Sequence, residues 1–248
     1  MNFHFKINKE RGFYRFNSEG FLEKKFKKNV EEQIKVRGEE LHHEFLKILL
    51  PIYDYYKDNN LEFTHTKETA KDVVAYMEDN QMLVEEVEYA IIQFANKFGI
   101  GTNNSFMDFN EMLYGEYSPV VVEGDLQIDI NQFTASNLVQ TALRMAQLLI
   151  SRESYQTVPT EMRDLCNRVG SRLVPQINGG IYYETKDIFA SMFWSMAFTE
   201  FQYEIKQCRW CKAPLLTDVR ATFCKRPRQC KNKFHNPNRS KKKKKENK

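Results

Sequence analysis

Four of the chain's five cysteines fall between positions 208 and 230, in the order Cys208-Arg-Trp-Cys211, twelve residues, Cys224, five residues, Cys230. A C-x2-C turn lets two thiolates meet one tetrahedral ion while nearby amides point at the sulfurs. A second pair returning after a short hairpin closes the coordination shell. The expected metal is one zinc ion, and four protein ligands leave it no open position, so its expected role is structural and not catalytic. Reducing conditions argue against disulfides between the same residues. His235 stands five positions beyond Cys230 and is the alternative fourth ligand. Cys230 is preferred, because sulfur more often completes sites opened by C-x2-C and Pro227 accommodates the wider turn. Cys166 lies far off on a helical stretch and reads as a small buried hydrophobe.

Charge singles out the same segment. From Lys206 onward 16 Lys and Arg stand against two acids, Asp218 and Glu246, a balance of +14; the whole chain carries +4, so the first 205 residues carry −10. A basic arm on an acidic body implies a polyanionic partner, most simply nucleic acid, DNA before RNA. A zinc-stiffened frame would display Arg209, Lys212, Arg220, Lys225, Arg226, Arg228, Lys231 and Lys233 close together. With six to eight of them on phosphates, log affinity should fall with log salt at a slope of about −5 to −7 on duplex DNA. Arg226, Arg228 and Asn232, near the expected start of a short helix, are the candidates for reading bases. Trp210 either packs on the zinc core or stacks on an exposed base. The run Lys241 to Lys245 is either part of the same surface or a solvated tail.

The remainder reads as a helical body. The composition of the whole chain, 42% hydrophobic and 28% charged, is that of a globular protein, and no run approaches the roughly 20 apolar residues that span a bilayer. Met1 to Lys9 lacks the apolar stretch of a signal peptide, so the expected compartment is the cytoplasm. Phe3, Phe5 and Ile7 alternate, and with Phe13 to Phe16 they predict a small N-terminal hairpin. Leu22, Phe26, Val30 and Ile34 recur every four residues and predict a helix from Gly20 to Val36. A second helix runs past Leu41, Phe45, Leu49 and Ile52, kinked by Pro51 and ended at Asn59. Thr66 and Asn80 cap the next two, and Gly99 and Gly101 stop the latter. A hairpin is expected over Val120 to Ile130 around Glu123-Gly124-Asp125. Helices follow over Thr134 to Ser151 and Glu161 to Leu173, then a strand at Ile181 to Tyr183 and an apolar helix from Lys186 to Gln207 running straight into Cys208. The expected fold is mainly α (α+β), with a helical body over 1–205, a zinc finger over 206–236 and a disordered basic tail over 237–248.

Catalytic signatures are missing. His42-His43-Glu44 lacks the second histidine of H-E-x-x-H and on a charged helix reads as solvated. Gly99-Ile100-Gly101-Thr102 could pass for a phosphate cradle, but it follows a helix, so a helix stop is the better account. Acids such as Glu86, Glu88, Asp125 and Asp129 form no acid/base pair by spacing. No catalytic residue is expected.

The C-terminal segment resembles a known family, bacterial proteins in which a helical N-terminal domain precedes a CGNR-type zinc finger. The matching elements are the helix entering C-x2-C, then Leu215, Leu216 and Asp218, then Phe223 before the third cysteine. The signature itself would be Cys230-Lys231-Asn232-Lys233, with lysines where the family has Gly and Arg, followed by the basic tail. The likeness covers about residues 206–245. It implies a treble-clef-like zinc site, DNA binding and a place in transcription regulation; the acidic body, outside the likeness, is expected to sense a ligand or form a homo-oligomer. An RNA-binding protein, or a zinc clip acting through protein contacts, shares most of these features.

Overall fold

The computed structural model describes residues 4–10, 12–25, 31–59, 61–64, 67–114, 121–122, 126–127, 133–151, 164, 166–175, 181–198, 207–210, 222–223 and 227–235. The first strands are β1 (His4–Glu10), β2 (Phe13–Phe16), β3 (Leu22–Lys25) and β4 (Glu31–Arg37). Along β1, Phe5 and Ile7 are buried while His4 and Lys6 stay partly open, the two-residue period of a half-buried strand. β1 does not fold back on β2, as the alternation around a turn predicts. It pairs antiparallel with β4, Phe5 opposite Val36 and Ile7 opposite Ile34. The hairpin forms one step later: β2 pairs with β3 across a turn in which the Asn17 side chain accepts from the Glu19 and Phe21 amides and Gly20 takes a φ of 79°. The expected helix from Gly20 to Val36 is therefore replaced by two strands. A four-residue repeat is also twice the strand period, so Leu22 and Ile34 keep their inward aspect either way; Phe26 and Val30 lie outside the described residues.

The main sheet is completed from far along the chain by β7 (Arg172–Pro175) and β8 (Ile181–Thr185), in the order β4-β1-β8-β7. β8 runs parallel to β1 and antiparallel to β7. The short pair β5 (Val121–Val122) and β6 (Leu126–Gln127) stands where a hairpin is expected, its tip lying outside the described residues.

The helices follow the sequence more closely. α1 (Gly38–Leu46) passes through a 3-10 turn at Lys47–Leu49 into α2 (Leu50–Asp58). Pro51 sits in the first turn of α2, where its missing N–H removes no helical bond, and Asn59 closes the helix by donating to the Tyr55 carbonyl. α3 (Lys67–Asp79) leads to α4 (Gln81–Phe98), whose first turn is capped by Asn80, the Leu83 amide donating to its side chain at 3.1 Å. Leu83, Val87, Ile91, Phe94 and Phe98 form the buried stripe of α4, and Gly99 ends it at a φ of 82°. α5 (Asn103–Tyr114) is a helix the periodicity does not announce. α6 (Ala135–Ser151) follows, its Asn137 amide bonded to the Thr134 hydroxyl. Of the helix expected over Glu161 to Leu173, residues 164 and 166–169 are helical, whereas Leu173 belongs to β7.

At the centre lies α7 (Ile188–Phe198), packed against α1, α5, β1 and β8. Phe189 and Phe193 are fully buried, and the Phe189 ring stacks on Phe133 and meets Phe45 and Phe106. Asp187 caps this helix by accepting from the Ala190 amide at 3.0 Å. Its other oxygen accepts from the Thr102 amide, the Thr102 hydroxyl and the Ser105 hydroxyl, the last at 2.6 Å. One carboxylate thus clamps the start of α7 to the start of α5. A Cβ at Gly101 would lie 2.8 Å from the Asp187 carboxyl carbon, so the clamp closes only over glycine. The body is mostly helical with a small sheet, and among the described residues no helix is long and apolar enough to cross a membrane.

Candidate metal centre and nucleic-acid interface

A nine-residue helix, α8 (Pro227–His235), stands where the spacing places the last cysteine. Proline at the first helical position costs no backbone bond, and here Pro227 fills it. Cys230 is the fourth residue of α8 and is 0% exposed, as is Cys208 in the first knuckle. Around them Arg209, Trp210, Lys231, Asn232, Phe234 and His235 face solvent, while Gln207 and Phe223 are partly buried. Thiols are thus the enclosed groups of a segment whose described surroundings are largely polar.

Backbone pairing folds the segment back on itself. The Arg209 amide donates to the Thr222 carbonyl at 3.1 Å, which brings the C-x2-C turn beside the chain two residues ahead of Cys224. Phe223 packs its ring on Phe234 and His235 of α8, at 5.4 and 6.0 Å between centroids. The knuckle, the chain at residues 222–223 and the helix are therefore joined through Arg209, Thr222 and Phe223.

Of the four expected ligands, Cys208 and Cys230 are enclosed; Cys211 and Cys224 lie outside the described residues. His235, the alternative fourth ligand, is exposed at the end of α8 with its ring against Phe223 and Phe234. Among the described residues no group of three or more metal-ligating side chains stands together. Thiol burial and the closing hydrogen bond fit a zinc ion, which would be held by Cys208, Cys230 and the two remaining cysteines.

The expected phosphate contacts divide similarly. Arg209 and Lys231 are exposed, and Asn232 is exposed on α8 one residue beyond Lys231. Arg228 and Lys233 belong to α8, while Lys212, Arg220, Lys225 and Arg226 lie outside the described residues. Trp210 is 40% exposed, leaving much of its ring open to solvent. The helix expected to enter the knuckle is described to Phe198; residues 199–206 lie outside the described set, and Gln207 is not helical.

In the body, Gly99 to Thr102 is a helix stop with three of its four amides engaged by protein: Gly99 bonds Ala95, Ile100 bonds the Tyr14 hydroxyl and Thr102 bonds Asp187. His42 corrects an expectation. It is 0% exposed, enclosed between α1 and α7, with a hydrogen bond to the Met192 backbone. Burial pushes its pKa down to about 3. The charged neighbours that suggest a solvated helix face lie on the other side of α1, where Glu40 and Glu44 meet Lys97. Cys166 is half-buried against the core, and burial raises its thiol pKa, in keeping with a packing role.

No family model matches the chain, and no curated protein and no solved structure matches it.

Proposed function

We propose that this chain is a zinc-organised nucleic-acid-binding protein, acting on DNA through its basic C-terminal segment. The observation that carries the reading is the enclosure of Cys208 and Cys230 inside a segment whose neighbouring cations and aromatics face solvent. A segment this short buries too little apolar surface to fold alone, and a structural zinc supplies the missing free energy. Held so, Arg209, Lys231 and Asn232 form one rigid surface, with Trp210 beside it as a ring available for stacking. The cations give affinity without sequence choice; Asn232 and the arginines near the start of α8 are the groups able to read base edges. The net negative charge of the body disfavours wrapping of duplex DNA around the rest of the molecule. A role in transcription regulation, with the helical body as sensor or dimerisation unit, is the process this reading fits.

Binding of the zinc-loaded protein to duplex DNA across a salt series tests the proposal. A log-log slope of about −5 to −7 is expected, and loss of binding on chelation. Absence of binding at low salt rejects it. Should Cys208→Ser unfold the C-terminal segment while Arg209→Ala with Lys231→Ala leaves DNA affinity untouched, the zinc site is a structural clip without a nucleic-acid role.

A further inference from the structure

The main sheet packs one face on the helices: Phe5, Ile7 and Val36 are buried, with α1 against β4 and α7 against β1 and β8. The register sends the alternate residues to the opposite face. Lys6 of β1 stands opposite Lys35 of β4 and Glu184 of β8, Arg37 lies two residues beyond Lys35, and Arg172 of β7 stands opposite Glu184. Tyr182 of β8 shares that face. All six are exposed or half-exposed. Four cations therefore stand around Glu184, and the same register sets two further carboxylates, Glu10 and Glu31, opposite each other four residues along from Lys6 and Lys35, on a body that carries −10 over its first 205 residues. None of the four makes an ion pair with a described residue.

Two of them are placed at a cost to folding. Lys6 and Lys35 occupy directly facing positions, where like charges destabilise a strand pair. Both ammonium groups lie 5.3 Å from the centroid of the Tyr182 ring, and the His4 ring lies 5.7 Å from it. Attraction to the ring offsets part of the repulsion, and an arriving anion would remove the rest.

We infer that this sheet face is a second binding surface, for single-stranded nucleic acid. Lys6, Lys35, Arg37 and Arg172 take the phosphates, and the Tyr182 and His4 rings offer a base a stacking partner. Strands spaced about 4.8 Å apart make a four-stranded face about 15 Å across, a platform for two or three unpaired bases. A duplex hides its base faces and makes no use of the rings. An acidic polypeptide meets the charges but likewise leaves the rings idle. The inference does not depend on the zinc reading, because none of these residues belongs to the C-terminal segment.

Fluorescence anisotropy with a short labelled oligo(dT) and the full chain tests it. Lys6→Gln with Lys35→Gln should weaken binding about tenfold at low salt and reduce the log-log salt slope by about 1.4, the share of two phosphate contacts on a single strand. Tyr182→Leu should weaken it about fivefold. The thermal midpoint of the lysine pair variant should not fall, since a repulsive pair has been removed, which separates lost binding from lost folding. The same variant should keep its affinity for duplex DNA, whereas Cys208→Ser should lose duplex binding and keep the lysine-dependent single-strand binding; the two surfaces can thus fail separately. Single-strand affinity unchanged in the lysine pair variant overturns the inference. So does displacement of the oligonucleotide by polyglutamate at matched charge concentration as effective as displacement by unlabelled oligo(dT).

Discussion

A histidine enclosed without charge makes stability depend on pH. The folded pKa of His42, about 3, lies below its unfolded value of about 6.5, so above that value the residue is neutral in both states. As pH falls from there towards the folded pKa, the unfolded chain takes up a proton the native state refuses. Stability then drops by about 1.4 kcal/mol per pH unit. Urea unfolding at pH near 7 and near 5 should differ by about 2 kcal/mol through this residue. His42→Gln, which keeps a donor near the Met192 backbone, should remove most of that difference; an unchanged pH profile would contradict the account. Tyr56 offers the opposite case. Its hydroxyl is buried with no hydrogen-bond partner among the described residues, while its ring packs on Phe63 and Tyr76. Tyr56→Phe should raise stability by about 1 kcal/mol, since it deletes an unsatisfied polar group and keeps the ring contacts. Neither environment is legible along the chain. His42 shares α1 with charged residues, and only the packing of α7 on that helix decides that its side is the inner one.

Helices whose ends and stripes are both encoded locally are the readable elements of this protein. α4 has its cap at Asn80, its stop at Gly99 and five buried residues at helical spacing between them. Asn80→Ala should cost about 1 kcal/mol in chemical denaturation, the worth of one cap. Asp187→Ala should cost more, about 2 to 3 kcal/mol, because the same carboxylate caps α7 and holds Thr102 and Ser105 of the preceding loop and helix. Equal losses for the two variants would mean that the clamp between α5 and α7 adds nothing. α5 escapes a reading by period because Asn103, Asn104 and Asn110 are weak helix formers. Its stability comes from outside: Thr141 of α6 donates to the Asn110 side chain at 2.8 Å, and Phe106 and Phe109 enter the core beside Phe189.

Across the whole molecule, charge is distributed by segment, and so are the sources of stability. The helical body buries a continuous apolar core, whereas the C-terminal segment places two enclosed thiols among solvent-facing cations. On the proposed zinc reading, chelation of the intact protein should abolish amide-exchange protection over residues 207–235 and leave the body's protection in place. Loss of protection in α4 and α7 at the same metal concentration would mean that the body and the segment fold as one unit. What the sequence by itself determined was local: caps, helical stripes, the break at Pro51, the crowding of cysteines and the split of charge, each set by residues within a few positions of one another. What only the tertiary structure decided was which strands meet. β1 takes its partners from β4 and from β8, the latter more than 170 residues away, and a four-residue repeat fits strand and helix alike until a neighbouring edge supplies hydrogen bonds. Pairing of that kind is a property of two distant segments together, as is the packing of α7 on α1 that buries His42, and the basic sheet face follows from the pairing.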